Sequence, residues 1–233
     1  MFVARRAFVL LLLAALSSFG ITAAAQPEPQ QLVINYIEFK PADTKAGSEV
    51  LEQLASQALA SSGVVRFDVL QQLDRPNFFA LFEIWSSAET FAAFKSSSAT
   101  QATLSQLTPL LEAPIDERLG NLLTGNVNAR NHHAEARQIF VITHVDVDPQ
   151  NVPVARPLLD TFVNDSINDA EVQTFALLSQ TPTTNHFQLV EAFGNLKAFD
   201  AHVSAQHTVD FRTSIDPLLG APYDERLYQF VNR

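Results

Sequence analysis

Two histidines, His202 and His207, lie close together in the stretch FDAHVSAQH, and imidazole is the side chain whose ordinary pKa suits proton abstraction near neutral pH. His202 is the candidate base, with His207 orienting it or substituting for it; two solvated histidines on a helix surface are the competing reading. Glu83 and Glu191 interrupt otherwise apolar runs, FFALFEIW and HFQLVEAF. A carboxylate in such a run is either buried with a raised pKa or paired with a cation, here Arg118 or Arg226. By the two-residue period of a strand, Asn35 shares a face with Ile37 and Phe39, and Glu83 with Phe79, Leu81 and Trp85. If both faces meet the helices, they line an apolar pocket with Asn35 and Glu83 as its polar points. Trp85 is then a ligand platform or a core residue, and Glu191 and Phe193 hold the matching places in the second half. His144 is expected to pack on the inter-sheet side. The adjacent His132 and His133 lack carboxylates at ligand spacing, so no metal site is expected. Asp116 and Arg118, and their copies Asp224 and Arg226, share a face and read as strand salt bridges. There is no phosphate loop, dinucleotide glycine fingerprint, nucleophile elbow or metalloprotease motif.

These residues sit in a tandem repeat. Shifted by 108 residues, the chain aligns on itself without a gap: Asn77-x-Phe79-x-Leu81-x-Glu83 meets Asn185-x-Phe187-x-Leu189-x-Glu191, and PLLEAPIDERL meets PLLGAPYDERL. Two copies of one domain are expected at 31–123 and 138–231, joined by a polar linker at 124–137. In the first copy, 32–39 reads as a strand ended by Pro41. A helix capped by Asp43 runs to about Ser61. Strands follow at 64–73 and 78–85, a Ser86-x-x-Glu89 capping box opens a helix bearing Phe91 and Phe94, and 115–123 closes as a fourth strand. This βαββαβ order predicts an α+β, ferredoxin-like unit with one bare sheet face. The second copy is expected to cover that face, giving an intramolecular pseudo-dimer with the two sheets face to face.

Composition limits the function. With 25 acidic against 15 basic side chains and a net charge of −10, the chain repels polyphosphate, which excludes sequence-independent nucleic-acid binding. Eighteen Phe in a chain that is 47% hydrophobic supply a real core, and the absence of Cys rules out disulfides, thiolate metal sites and a Cys nucleophile. A basic start, an apolar run at 7–16 and Ala23-Ala24-Ala25 form a cleavable export signal over 1–25. That run is too short for a permanent anchor, so the protein is expected to be periplasmic or secreted. Arg5-Arg6 partly resembles a twin-arginine signal, although the leucine-rich core suits the general secretory route better.

The run Phe67-Asp-Val-Leu through Asn77-Phe-Phe-Ala-Leu-Phe-Glu83-Ile-Trp85 to Phe91, and the run from Phe187 through Glu191-Ala-Phe193 to His202 and His207, resemble the antibiotic biosynthesis monooxygenase (ABM) family. The resemblance implies a dimeric α+β barrel, here made by one chain from two tandem copies. It further implies a cofactor-free oxidation of a small aromatic or quinol substrate by O2, with His202 making the electron-rich phenolate. The alternative is a non-catalytic barrel that binds an apolar ligand or a protein partner. Haem-degrading relatives combine an Asn on strand one, a strand-end Trp and a helical His. Asn35 and Trp85 match without the His, and Thr143 replaces the Asn in the second copy, so haem binding ranks lower. Because His202 and His207 have only Phe94 and Ala99 as counterparts, the second copy is expected to carry any catalysis and the first to act as its structural partner.

Overall fold

The computed structural model describes residues 29–127 and 137–231. The export signal, His132, His133 and most of the linker lie outside the described residues. The first half runs β1 (Gln31–Glu38), α1 (Thr44–Leu59), β2 (Val64–Gln72), β3 (Phe78–Trp85), α2 (Ala88–Ser96), α3 (Ser98–Leu107) and β4 (Asp116–Asn126). The second repeats it as β5 (Ile139–Asp146), α4 (Val152–Ser166), β6 (Val172–Thr181), β7 (His186–Phe193), α5 (Leu196–Ser204), α6 (Gln206–Ile215) and β8 (Asp224–Phe230). Strand β4 continues three residues past the expected end of the first domain.

The eight strands close into one antiparallel barrel in the order β1-β3-β2-β8-β5-β7-β6-β4. The two four-stranded sheets do face each other, and their edges also join. At one seam Leu119–Asn126 pairs with Phe175–Thr181; at the other, Leu70–Gln72 pairs with Tyr228–Phe230. Closure satisfies the backbone N–H and C=O groups that open edges would leave bare.

Three apolar clusters follow from strand parity. Leu32, Ile34, Phe82, Phe140, Ile142 and Tyr228 fill the barrel. Val33, Ile37, Phe67, Leu81 and Trp85 pack outward on the first set of helices, and Val141, Val145, Phe175, Leu189 and Phe193 on the second. Inside the barrel Arg66 Nε donates to Asp68 Oδ2 at 2.6 Å, with its guanidinium 5.0 Å from the Phe82 ring centre. Its Nη1 reaches Thr174, its own counterpart in the other repeat, at 3.3 Å.

Two local expectations shift. The α2 cap is Ser87, whose Oγ accepts from Thr90 N at 3.3 Å while Thr90 Oγ1 accepts from Ser87 N at 3.2 Å. Ser86, just past the end of β3, is tied by its N–H to Gly63 O at 2.7 Å, and the helix starts one residue later than the Ser86–Glu89 spacing implied. Asp43 precedes α1 but makes no side-chain cap bond, because a 3-10 turn at Pro41–Asp43 leads into the helix.

Candidate functional site

The first domain holds a cavity of about 240 Å³ between its sheet and α1–α3. Its floor is Asn35 on β1 and Glu83 on β3, as the shared strand faces implied; its walls are apolar, including Ile37, Leu54, Leu81, Phe94, Leu104 and Ile115. Asn35 Nδ2 donates to Glu83 Oε1 at 2.7 Å, and Trp85 Nε1 donates to Glu83 Oε2 at 2.8 Å. Glu83 is 3% exposed. Burial disfavours its charge more than those two donors restore it, so its pKa rises from 4.5 to about 7. At the rim, Lys95 Nζ donates to Glu117 Oε1 at 2.7 Å.

Trp85 does not line this cavity. It is fully buried beside Glu83, with Phe94 at 4.8 Å and Phe91 at 6.0 Å between ring centres, so its role is to hold the carboxylate. The expected pairing of Glu83 or Glu191 with Arg118 or Arg226 is also not found. Arg118 lies across from Ile34 and so points into the barrel, where it binds Asp116 at 2.8 Å and His144 Nδ1 at 3.0 Å and covers the Tyr36 ring. Glu83 lies across from Val33 and points to the helices. Parity separates the two. His144 accordingly packs against Tyr36 at 5.1 Å, on the inter-sheet side. Burial and the two nearby guanidiniums lower its pKa to about 4.

The second domain is built differently at the same positions. Phe162, Arg212 and Tyr223 replace Leu54, Leu104 and Ile115. Phe162 stacks on Phe211 at 3.9 Å, and Arg212 bonds Glu225. What remains is a space of about 100 Å³ against Arg212, Ile215 and Tyr223, which touches neither Glu191 nor His202. Glu191 is 2% exposed and its Oε2 has no hydrogen-bond partner among the described residues. Burial, and then the nearby Glu225, hold its carboxyl well above the usual carboxylate range, against Arg212. Phe193 packs on His202 at 5.2 Å and Phe199 at 5.6 Å as core.

His202 and His207 do come together, on α5 and α6, but with an aspartate that the sequence reading did not single out. Asp169 Oδ2 lies 2.7 Å from His202 Nδ1 and 3.1 Å from His207 Nε2. His202 is enclosed by Phe162, Phe175 and Phe193. Burial lowers its pKa, opposed by its bond to Asp169. Asp169 sits in the turn after α4, where no strand or helix period marks its direction. Glu117 and Lys95 were also missed as rim residues. Glu117 was legible in principle, because Asp116 and Arg118 share one face and the residue between them must take the other.

Residues 31–106 match the family model described as antibiotic biosynthesis monooxygenase. In fold, the chain is similar to a candidate monooxygenase from Fusobacterium nucleatum, at 14% identity, over 89% of this chain and 94% of the other, with a TM-score of 0.78. A candidate monooxygenase from Lactobacillus acidophilus aligns at 11% identity over 88% and 94% of the two chains, with a TM-score of 0.68. An anthrone oxidase-like protein aligns at 13% identity over 88% and 92%, also at 0.68. A search of curated protein sequences found no match. Both halves thus fold as one α+β barrel of the tandem type, and residues 31–106, which match the antibiotic biosynthesis monooxygenase family model, supply most of the lining of the first-domain cavity.

Proposed function

We propose that the protein is a monooxygenase that oxidises a small phenol or quinol with O2 in the cavity of the first domain, without a cofactor. The observation that carries this reading is Glu83, a buried carboxyl with a pKa near 7 on the floor of an apolar cavity in the domain that matches the family. An apolar cavity of about 150 Å³ admits benzene. The larger volume here suits a substituted aromatic ring. Ionised Glu83 removes the phenolic proton, Asn35 Nδ2 keeps the carboxylate aligned, and the resulting phenolate is electron-rich enough to react with O2. For a phenol, the balance is ring C–H to C=O: one oxygen atom stays on carbon, the other leaves as water, and the substrate supplies all four electrons. No separate reductant is needed.

In this reading the base assigned to His202 from the sequence becomes Glu83, because the open cavity reaches Glu83 while aromatic rings enclose His202. The test is O2 uptake by the purified protein over a panel of phenols and hydroquinones, with Glu83→Gln and His202→Phe compared on any substrate found. Loss of about 10²–10⁴-fold in Glu83→Gln with turnover retained in His202→Phe supports the proposal. Full activity in Glu83→Gln, or loss in His202→Phe alone, returns the site to the second domain. Ligand binding with no O2 uptake across the panel favours a binding barrel. We also propose export, on the strength of the basic, apolar and small-residue order of 1–25; the N-terminal residue of protein recovered from its own cells checks cleavage after Ala25. No described helix is long and apolar enough to cross a membrane.

A further inference from the structure

Asp169, His202 and His207 belong to three separate elements: the turn after α4, the end of α5 and the start of α6. Their ligating atoms all lie within 4.8 Å of one another. The proposed chemistry at Glu83 uses none of them. His207 Nε2 is buried and makes no hydrogen bond, although Asp169 Oδ2 is only 3.1 Å away. Glu191 Oε2, buried and without a hydrogen-bond partner among the described residues, lies 3.9 Å from His202 Nε2, the ring nitrogen remote from Asp169. A hydrogen bond from that nitrogen to Glu191, which a small shift from 3.9 Å would make, is the kind of contact that fixes the tautomer of a metal-bound histidine. The first domain has Ser61, Phe94 and Ala99 at the three positions, so it has lost or never gained all three donors together.

We propose that Asp169 Oδ2, His202 Nδ1 and His207 Nε2 bind one divalent transition-metal ion, with solvent completing the shell. Two imidazoles and one carboxylate form a donor set that suits Zn²⁺, Fe²⁺ or Co²⁺ and excludes the hard, all-oxygen preference of Ca²⁺. Donors about 2.0–2.2 Å from such an ion stand about 3–3.5 Å from each other; Asp169 Oδ2 is 2.7 and 3.1 Å from the two imidazole nitrogens, and all three atoms lie within 4.8 Å of one another before any relaxation. Asp169 and His207 are each about a quarter exposed, so an ion enters from solvent against the buried His202. The ion would tie the turn and two helices together, a structural role away from the first-domain cavity.

The test is calorimetric titration of Zn²⁺ into the purified, chelator-treated protein, with the visible spectrum of added Co²⁺ as a second readout. The expected result is one saturable equivalent per chain, with affinity at least tenfold weaker in His207→Ala and in Asp169→Ser, both first-domain residues. Glu191→Gln is expected to weaken binding by about 10–100-fold, as loss of an outer-shell partner does. Circular dichroism checks that each variant folds; His207→Ala, at a partly exposed side chain, carries the test if Asp169→Ser does not. Absence of saturable binding overturns the proposal. So does an isotherm that His207→Ala leaves unchanged, which would place the ion on other histidines such as His186.

Discussion

Glu83 offers a measurement of the candidate site that needs no substrate. Its pKa is 4.5 when exposed and about 7 in the folded protein, so the folded state binds more protons between those values. Stability from this group is therefore fully present below pH 4.5 and is lost as pH rises through 7. Each unit of pKa shift corresponds to about 1.4 kcal/mol, so the loss amounts to about 3 kcal/mol. Glu83→Gln is neutral at every pH and removes that slope. The amide is tolerated: its oxygen accepts from Trp85 Nε1, and its NH2 donates to Asn35 once the Asn35 amide turns over. Urea denaturation of both proteins from pH 4 to 9 gives the comparison, and groups such as Glu191 cancel in the difference. The variant should gain about 3 kcal/mol relative to wild type across this range, most of it between pH 4.5 and 7. Parallel stability curves would refute a buried Glu83 that keeps its proton up to about pH 7 and, with it, a base poised near neutrality.

The rest of the cavity and the barrel yield further tests. Leu54→Phe with Ile115→Tyr copies the second domain and should fill the first-domain cavity, abolishing binding of an aromatic probe by calorimetry while the melting temperature stays within a few degrees. Trp85→Phe removes a donor to the Glu83 carboxylate; a hydrogen bond to a charged group is worth about 1.5–3 kcal/mol, so the pH-dependent limb of activity should move up by about 1–2 units. Arg66→Met removes the guanidinium 2.6 Å from the buried Asp68 and should cost about 3–5 kcal/mol by denaturant unfolding, whereas Arg66→Met with Asp68→Leu should recover most of that loss.

What the sequence determined by itself is whatever depends on short-range period and on repetition. The gapless repeat fixed two copies of one domain. Period two placed Asn35, Leu81 and Glu83 on one helix-facing surface, and the pleat allows no other outcome once a strand is half buried. The same parity, followed strictly, would have kept Arg118 away from Glu83 and put Glu117 on the cavity side. Tertiary structure decided the rest. Which half keeps an open cavity depends on how Leu54, Leu104 and Ile115, or Phe162, Arg212 and Tyr223, meet over the sheet from elements distant in the chain. Those positions look like ordinary core or surface residues until the helices are docked. Asp169 joins His202 and His207 only because a turn, whose direction no period encodes, is folded against two helix ends. The joining of the sheets into a barrel likewise depends on β2 meeting β8 and β4 meeting β6, pairings between strands whose sequences carry no mark of each other. Local patterning sets which way a side chain points; only packing sets what it meets.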